Sequence, residues 1–111
     1  MDCLFCKISN GEIPSVKIFE NDKLFAVNDI NPKARIHILI IPKKHIESIK
    51  TLDEADRDLL WEMVSTARKL AEDNDLQGYK LVINVGRDGG QTIDHLHLHL
   101  LSGDAASELK I

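Results

Sequence analysis

Three of the five histidines of this chain fall on alternate residues in Asp94-His95-Leu96-His97-Leu98-His99-Leu100-Leu101. Side chains alternate faces along an extended segment, so such a strand turns His95, His97 and His99 to one side and the leucines into a core. Histidine is the side chain that titrates near neutrality unaided, and its neutral ring serves as nucleophile, proton carrier or metal ligand. A solvent-facing strand is more simply filled with Lys, Thr or Glu, so three imidazoles there point to an active site. The second chemical cluster is Cys3-Leu4-Phe5-Cys6, which puts two thiols on one side of a helical turn. Two cysteines this close, in a reducing compartment, suggest a metal or redox pair rather than a structural disulfide. A structural zinc there needs two further ligands, and His45 and His95 are available. The alternative is that the thiols are small hydrophobes and His45 caps a turn.

Gly86-Arg87-Asp88-Gly89-Gly90-Gln91-Thr92 leads directly into the histidine segment. Paired glycines can take positive φ and aim successive backbone N–H groups at one point, forming an anion nest. Thr92 adds a hydroxyl and Gln91 an amide, so a phosphate held by this loop lies beside His97 or His99. Arg87 is either a further anion contact or a solvated loop residue. Three other polar residues are ambiguous from their types alone. Asp29 reads as a turn residue before Pro32, Asn84 as a local backbone cap, and His37 as a satisfied core histidine on an apolar strand.

The elements that must position these groups form one domain covering residues 1–111. A hydrophobic content of 43% with 29% charged residues describes an ordinary globule, and a net charge of −4 argues against nucleic-acid or anionic-membrane binding. No apolar run approaches a bilayer span, and Met1-Asp2-Cys3 does not open a signal peptide, so the cytoplasm is expected. Residues 16–20 and 23–30 are predicted as strands joined at Asn21-Asp22, and residues 36–41 as a buried strand stopped by Pro42. Residues 79–85 and the histidine segment supply strands four and five. Thr51 and Glu54 suggest a capping box opening a helix whose apolar positions are Leu60, Met63, Val64, Ala67, Leu70 and Ala71, with Trp61 in its core or at a dimer contact. A short helical stretch over residues 3–10 ends at Gly11. The order β-β-β-α-β-β predicts an α+β fold, with a five-stranded, mainly antiparallel sheet, one long helix and one short helix.

The segment His95-Leu96-His97-Leu98-His99-Leu100-Leu101 resembles the His-φ-His-φ-His-φ-φ signature of the histidine triad superfamily, where φ is apolar. Ile13-Pro14, residues 25–30, residues 40–45 and Gly89-Gly90-Gln91-Thr92 resemble, in order, segments of its small nucleotide-binding phosphoramidases. The resemblance implies a homodimer whose two sheets join into ten strands, and hydrolysis of a purine nucleoside 5′-phosphoramidate to AMP or GMP and an amine. It places His97 at the nucleophile, His99 at the phosphate and bridging atom, and His37 in support of the nucleophile. Asn84 and Thr92 then match polar phosphate and leaving-group contacts, with Gly90 and Gln91 in the same loop as Thr92; Asp29 matches the carboxylate on the ribose hydroxyls, and Ile30 and Phe25 lie near the base or sugar. A histidine with a pKa near the operating pH suits protonation of the departing amine. The resemblance also implies a zinc on Cys3, Cys6, His45 and His95, with no metal required at the phosphorus.

Two other functions fit the same residues. One is a zinc hydrolase with His-x-His ligands. On a regular strand residues i and i+2 lie roughly 6.6–6.8 Å apart and i and i+4 about 13 Å, so the three histidines cannot share one ion, and His37, His45 or Asp29 must serve as the third ligand. The other is a nucleotide-binding adaptor with negligible catalysis. The tail from Ser102 to Ile111 carries no aromatic and no proline, unlike the dimer-crossing tail of well-known members, which leaves the leaving group open. The short C-terminal stretch also disfavours the longer diadenosine-polyphosphate hydrolase branch.

Overall fold

A computed structural model describes residues 3–108. In chain order the elements are α1 (Leu4–Ser9), β1 (Lys17–Glu20), β2 (Leu24–Asn28), β3 (Ile36–Pro42), α2 (Arg57–Asp73), β4 (Lys80–Val82), β5 (Leu98–Ser102) and α3 (Asp104–Glu108). The strands form one antiparallel sheet in the order β1-β2-β3-β5-β4. Ile36 to Ile41 is apolar apart from His37 because β3 is central and covered on both faces. The turn after β1 is set by Asn21, whose side-chain oxygen accepts from the backbone N–H of Lys23 and Leu24.

Strand register sorts the side chains. Leu39 lies opposite His99 and Val27 opposite Leu39, so these share one face, and His37, opposite Leu101, joins them. Leu24, Ala26, Ile38, Ile40, Leu98 and Leu100 take the other face and pack on Met63, Ala67, Leu70 and Ala71 of α2. The histidine face is covered by α1, where Phe5 and Ile8 pack against Phe25, Val27, Leu39 and Ile41. One sheet face therefore carries the stabilising core, and the other is left for chemistry under a short helix.

Several sequence expectations change in detail. The histidine segment is regular strand only from Leu98, because the Leu96 amide leaves the sheet to bond the Ile46 carbonyl (2.7 Å). Alternation nonetheless persists, with Leu96 in the α2 core and His95 and His97 against Phe5. Residues 83–85 lie beyond β4. The capping box expected of Thr51 and Glu54 is replaced by two 3-10 turns, at Ile49–Thr51 and Glu54–Asp56, capped by Ser48 and Asp53. In each, the cap and the residue three further on exchange hydrogen bonds, so the reciprocal pattern falls on both sides of the expected pair. Trp61 is 61% exposed and is not core. The short helix α3 is additional to the two helices expected, and Leu109 to Ile111 lie outside the described residues.

Candidate active site and candidate metal centre

A cavity of about 480 Å3 opens between α1, the loop after β2 and the histidine face of the sheet. Its apolar walls include Phe5, Ile8, Ile13, Val27 and Leu39, while Asp29, Lys33, Thr92, His97 and His99 supply polar groups. Ile30 stands at its edge, 91% exposed. Such a volume, mostly apolar with a few convergent polar groups, suits a small-molecule ligand.

Hydrogen-bond partners that can only donate or only accept fix the state of each ring. The His95 carbonyl accepts from Nδ1 of His97 (2.8 Å), so Nε2 of His97 keeps a lone pair. The Lys33 backbone N–H donates to Nδ1 of His37 (3.0 Å), so the His37 proton is on Nε2. That Nε2–H meets Nδ1 of His99 at 2.9 Å, with the Asp29 carboxylate 3.5 Å away. Nδ1 of His99 is then an acceptor and its Nε2 carries the proton. This buried Nε2 has no hydrogen-bond partner among the described residues. A buried polar atom left open on a residue that lines a cavity is a place for a ligand. His97 thus offers a lone pair and His99 an N–H, with ring centroids 4.9 Å apart.

Burial holds all these rings neutral. Desolvation pulls His97 and His37 below the ordinary histidine range, against the pull of the Asp29 carboxylate. His99 is pushed to about 4 by burial, reinforced by His97 and His37. The histidine with a pKa near operating pH is therefore not His99, which acts as a neutral donor. The sign of the linkage is definite. Below about pH 6.5 the unfolded chain takes up protons that these folded rings resist, His99 down to about pH 4, so the fold loses stability as pH falls through that range. The thermal midpoint is expected to be level above pH 7 and to fall by at least about 5 °C between pH 6.5 and 5. A His99→Asn variant should fall less steeply; an unchanged wild-type midpoint over that interval would contradict the neutral assignment.

Cys3, Cys6, His45 and His95 converge at the N-terminal end of α1, every ligand atom within 4.8 Å of the rest. Sγ of Cys3 is 3.2 Å from Nδ1 of His95, Sγ of Cys6 is 3.4 Å from Nδ1 of His45, and the two Nδ1 atoms are 3.1 Å apart. Tetrahedral zinc with N and S ligands has ligand separations of roughly 3.3–3.8 Å, close to these. His95 donates its Nε2–H to the Pro42 carbonyl (2.7 Å), which frees Nδ1 to ligate. Burial and the neighbouring Cys3 raise the Cys6 thiol to about 11, so a metal there displaces a proton. The donor set fits zinc. Asp29, His37 and His99 form a second convergent group, but His37 can ligate through Nε2 only by giving up its bond from the Lys33 N–H. Tautomer logic leaves the cysteine cluster as the group whose donors are free to ligate and makes the aspartate cluster a hydrogen-bond chain, which disfavours the His-x-His zinc hydrolase.

Of the residues expected at the site, His97, His99, Asp29, Ile30 and Thr92 line the cavity, and His37 sits behind His99. His37 thus contacts the third motif histidine rather than the proposed nucleophile. Phe25 is fully buried beneath the walls. Asn84, Gly90 and Gln91 do not line the cavity. Asn84 donates to the Gly89 carbonyl (2.8 Å), and buried Gln91 bonds Gly86, Glu47 and Ile93 backbone groups, so both brace the loop. Positive φ falls at Gly86 and Gly90 rather than at the Gly89–Gly90 pair. The N–H groups of Gly89, Gly90 and Gln91 bond within the loop, to Gly86 and Arg87 carbonyls, so the expected nest does not present them to an anion. Arg87 is tied to the Gln91 carbonyl and to Asp94. The walls Phe5, Ile8 and Leu39 were not singled out from sequence; the signal for Phe5 and Ile8 is the apolar spacing of the short helix, and for Leu39 its place opposite His99 in the apolar run of β3.

Residues 2–111 match the family described as Scavenger mRNA decapping enzyme C-term binding. An uncharacterized HIT-like protein of Helicobacter pylori is 44% identical over 103 residues, covering 91% of this chain and 96% of that protein. The chain belongs to the histidine triad superfamily. Among solved structures, a HIT family hydrolase from Legionella pneumophila is similar with a TM-score of 0.90 and 48% identity, over 93% of this chain and 94% of that one. A histidine triad nucleotide-binding protein from Candida albicans gives a TM-score of 0.81 at 37% identity, over 89% of this chain and 73% of that one. The motif that names the histidine triad superfamily is the run from His95 to Leu101 that supplies both clusters here. Among the described residues no helix of this histidine triad protein is long and apolar enough to cross a membrane.

Proposed function

We propose that this histidine triad protein hydrolyses purine nucleoside 5′-phosphoramidates to AMP or GMP and an amine, through a nucleotidyl-histidine at His97. The observation that carries the reading is the opposition of roles on adjacent rings, a lone pair on His97 and an unpartnered N–H on His99, both at one cavity. A relative described as a hydrolase and another described as nucleotide-binding support it. In the first half-reaction Nε2 of His97 bonds to the α-phosphorus and the P–N bond breaks, its electron pair leaving on nitrogen, which takes up one proton and departs as an amine. The charge on the phosphorylated ring is relieved by its Nδ1–H bonded to the His95 carbonyl. Water then attacks phosphorus, the bond to His97 breaks back to the ring, and one proton is released. Net consumption is one water. The His99 Nε2–H stabilises the phosphoryl oxygens or the leaving nitrogen, Asp29 accepts from ribose hydroxyls, and the apolar walls take the base.

The test is AMP release from adenosine 5′-phosphoramidate, followed by chromatography with and without a chelator. Release that survives chelation while the fold persists supports the reading. Tight AMP binding without release would leave a nucleotide-binding adaptor instead.

Two assembly proposals accompany this one. Zinc at Cys3, Cys6, His45 and His95 is structural, and no step passes through it. A homodimer forms through the edge strand β4, whose flank leaves Tyr79 41%, Leu81 38% and, on α2, Trp61 61% exposed. Sedimentation equilibrium should return twice the chain mass, and Leu81→Lys should weaken association by at least about tenfold. A wild-type monomer at micromolar concentration would refute the dimer.

A further inference from the structure

We infer that the Lys33 backbone N–H, acting through His37, determines which nitrogen of His99 carries the proton, which makes Lys33 and His37 positioning residues. The role assigned to the His99 N–H rests on the proposed phosphoramidase reading, whereas the proton's location does not.

The loop between β2 and β3 grips His37 at three points. The Asp29 amide donates to the His37 carbonyl (2.9 Å), the Lys33 amide donates to Nδ1 (3.0 Å), and Oδ2 of Asp29 lies 3.5 Å from Nε2. The carboxylate is itself steadied, because its Oδ1 accepts from the Asn31 amide (2.8 Å). A backbone N–H cannot accept, so Nδ1 of His37 must present its lone pair and the ring's one proton must sit on Nε2. The nearby carboxylate favours the same placement. Nε2–H of His37 then faces Nδ1 of His99 at 2.9 Å, and two N–H groups cannot face one another at that separation. The His99 proton is forced to Nε2, the atom left unpartnered on a cavity-lining residue.

Free histidine does not hold this state firmly, because its two neutral tautomers differ little in energy. If the His99 proton moved to Nδ1, its Nε2 would confront the phosphoryl oxygens with a lone pair, turning stabilisation into repulsion. The position after Pro32 is therefore chosen for its main chain: any non-proline residue at 33 supplies the amide. His37 transmits polarity from that amide to His99 without touching the ligand cavity, whose lining it does not join.

Long-range proton–nitrogen correlation spectra of 15N-labelled protein report directly which imidazole nitrogen is protonated. Wild type should show both His37 and His99 protonated on Nε2; a proton on Nδ1 of either ring would overturn the inference. Carboxamide oxygen and nitrogen are spaced like the two ring nitrogens, so His37→Gln can accept from Lys33 and donate to His99. It should keep His99 protonated on Nε2. His37→Leu and Lys33→Pro, which remove the relay and its source, should populate the Nδ1–H form of His99. With adenosine 5′-phosphoramidate, His37→Leu should lower kcat by at least about tenfold with KM changed by less than about threefold, and His37→Gln should recover most of that loss. A His37→Leu protein that retains the wild-type His99 tautomer would refute the relay. The expected spectra in proteins that release no AMP would sustain the relay and defeat the phosphoramidase reading, so the two failures are distinguishable.

Discussion

His97→Ala is expected to lower kcat for adenosine 5′-phosphoramidate by about 10⁴-fold or more, equivalent to roughly 5 kcal/mol of barrier. The size follows from what the ring alone supplies. Nε2 is the lone pair assigned to attack, and its orientation is set by the Nδ1–H bond to the His95 carbonyl and by edge contact with Phe5, centroids 5.1 Å apart. Alanine leaves water as the only nucleophile, without that alignment. Binding should persist, because Asp29, Thr92, His99 and the apolar walls remain, and AMP affinity is expected to change by less than about fivefold. Mass spectrometry of acid-sparing quenches should find a nucleotidyl group on the wild-type peptide containing His97 and none on the variant. Equal AMP release by both proteins would remove His97 from the mechanism, whatever the fold similarity.

The fold was legible because its signals are periodic. Alternation in residues 96–101 and helical spacing from Leu60 to Ala71 reflect one buried face each, and the antiparallel pairing of β1, β2 and β3 follows from short connections. The polar clusters were legible by type: Cys3, Cys6, His45 and His95 do meet, as do His97, His99 and Asp29. What failed was main-chain accounting. Gln91, Thr92 and the paired glycines promised an anion site by composition, but Gln91 spends its amide on Glu47 and Ile93 carbonyls, and the loop N–H groups close on Gly86 and Arg87. The most consequential donor near His99 is the Lys33 amide, and no side-chain alphabet can advertise a backbone N–H. The expected capping box likewise gives way to two, Ser48 with Thr51 and Asp53 with Asp56, because the chain makes two 3-10 turns before α2.

The Cys3→Ser, Cys6→Ser double variant is expected to lose about one zinc per chain and to lower the thermal midpoint by about 10 °C or more. Helix α1 has six residues, too few to persist by propensity, so its place depends on contacts and on any ion at its base. Cys3 caps it, with its sulfur accepting from the Cys6 amide at 3.4 Å, and the same sulfur faces His95. The thiols, His45 and His95 thereby join the helix to the segment that carries His97. Serine oxygens hold zinc poorly beside two imidazoles and leave neutral, partly buried hydroxyls in place of the two thiols. The effect should reach the other cavity selectively. Phe5 and Ile8 wall the ligand site from α1, so AMP affinity should weaken by about tenfold. His97 and His99 are held chiefly by the His95 carbonyl and His37, so the rate at saturating substrate should fall far less. Elemental analysis, calorimetry and titration with AMP measure the three quantities separately. Metal-free wild type with an unchanged midpoint would show that the four residues converge without needing an ion. A large loss of kcat without loss of affinity would mean that the cluster governs the nucleophile instead of the wall.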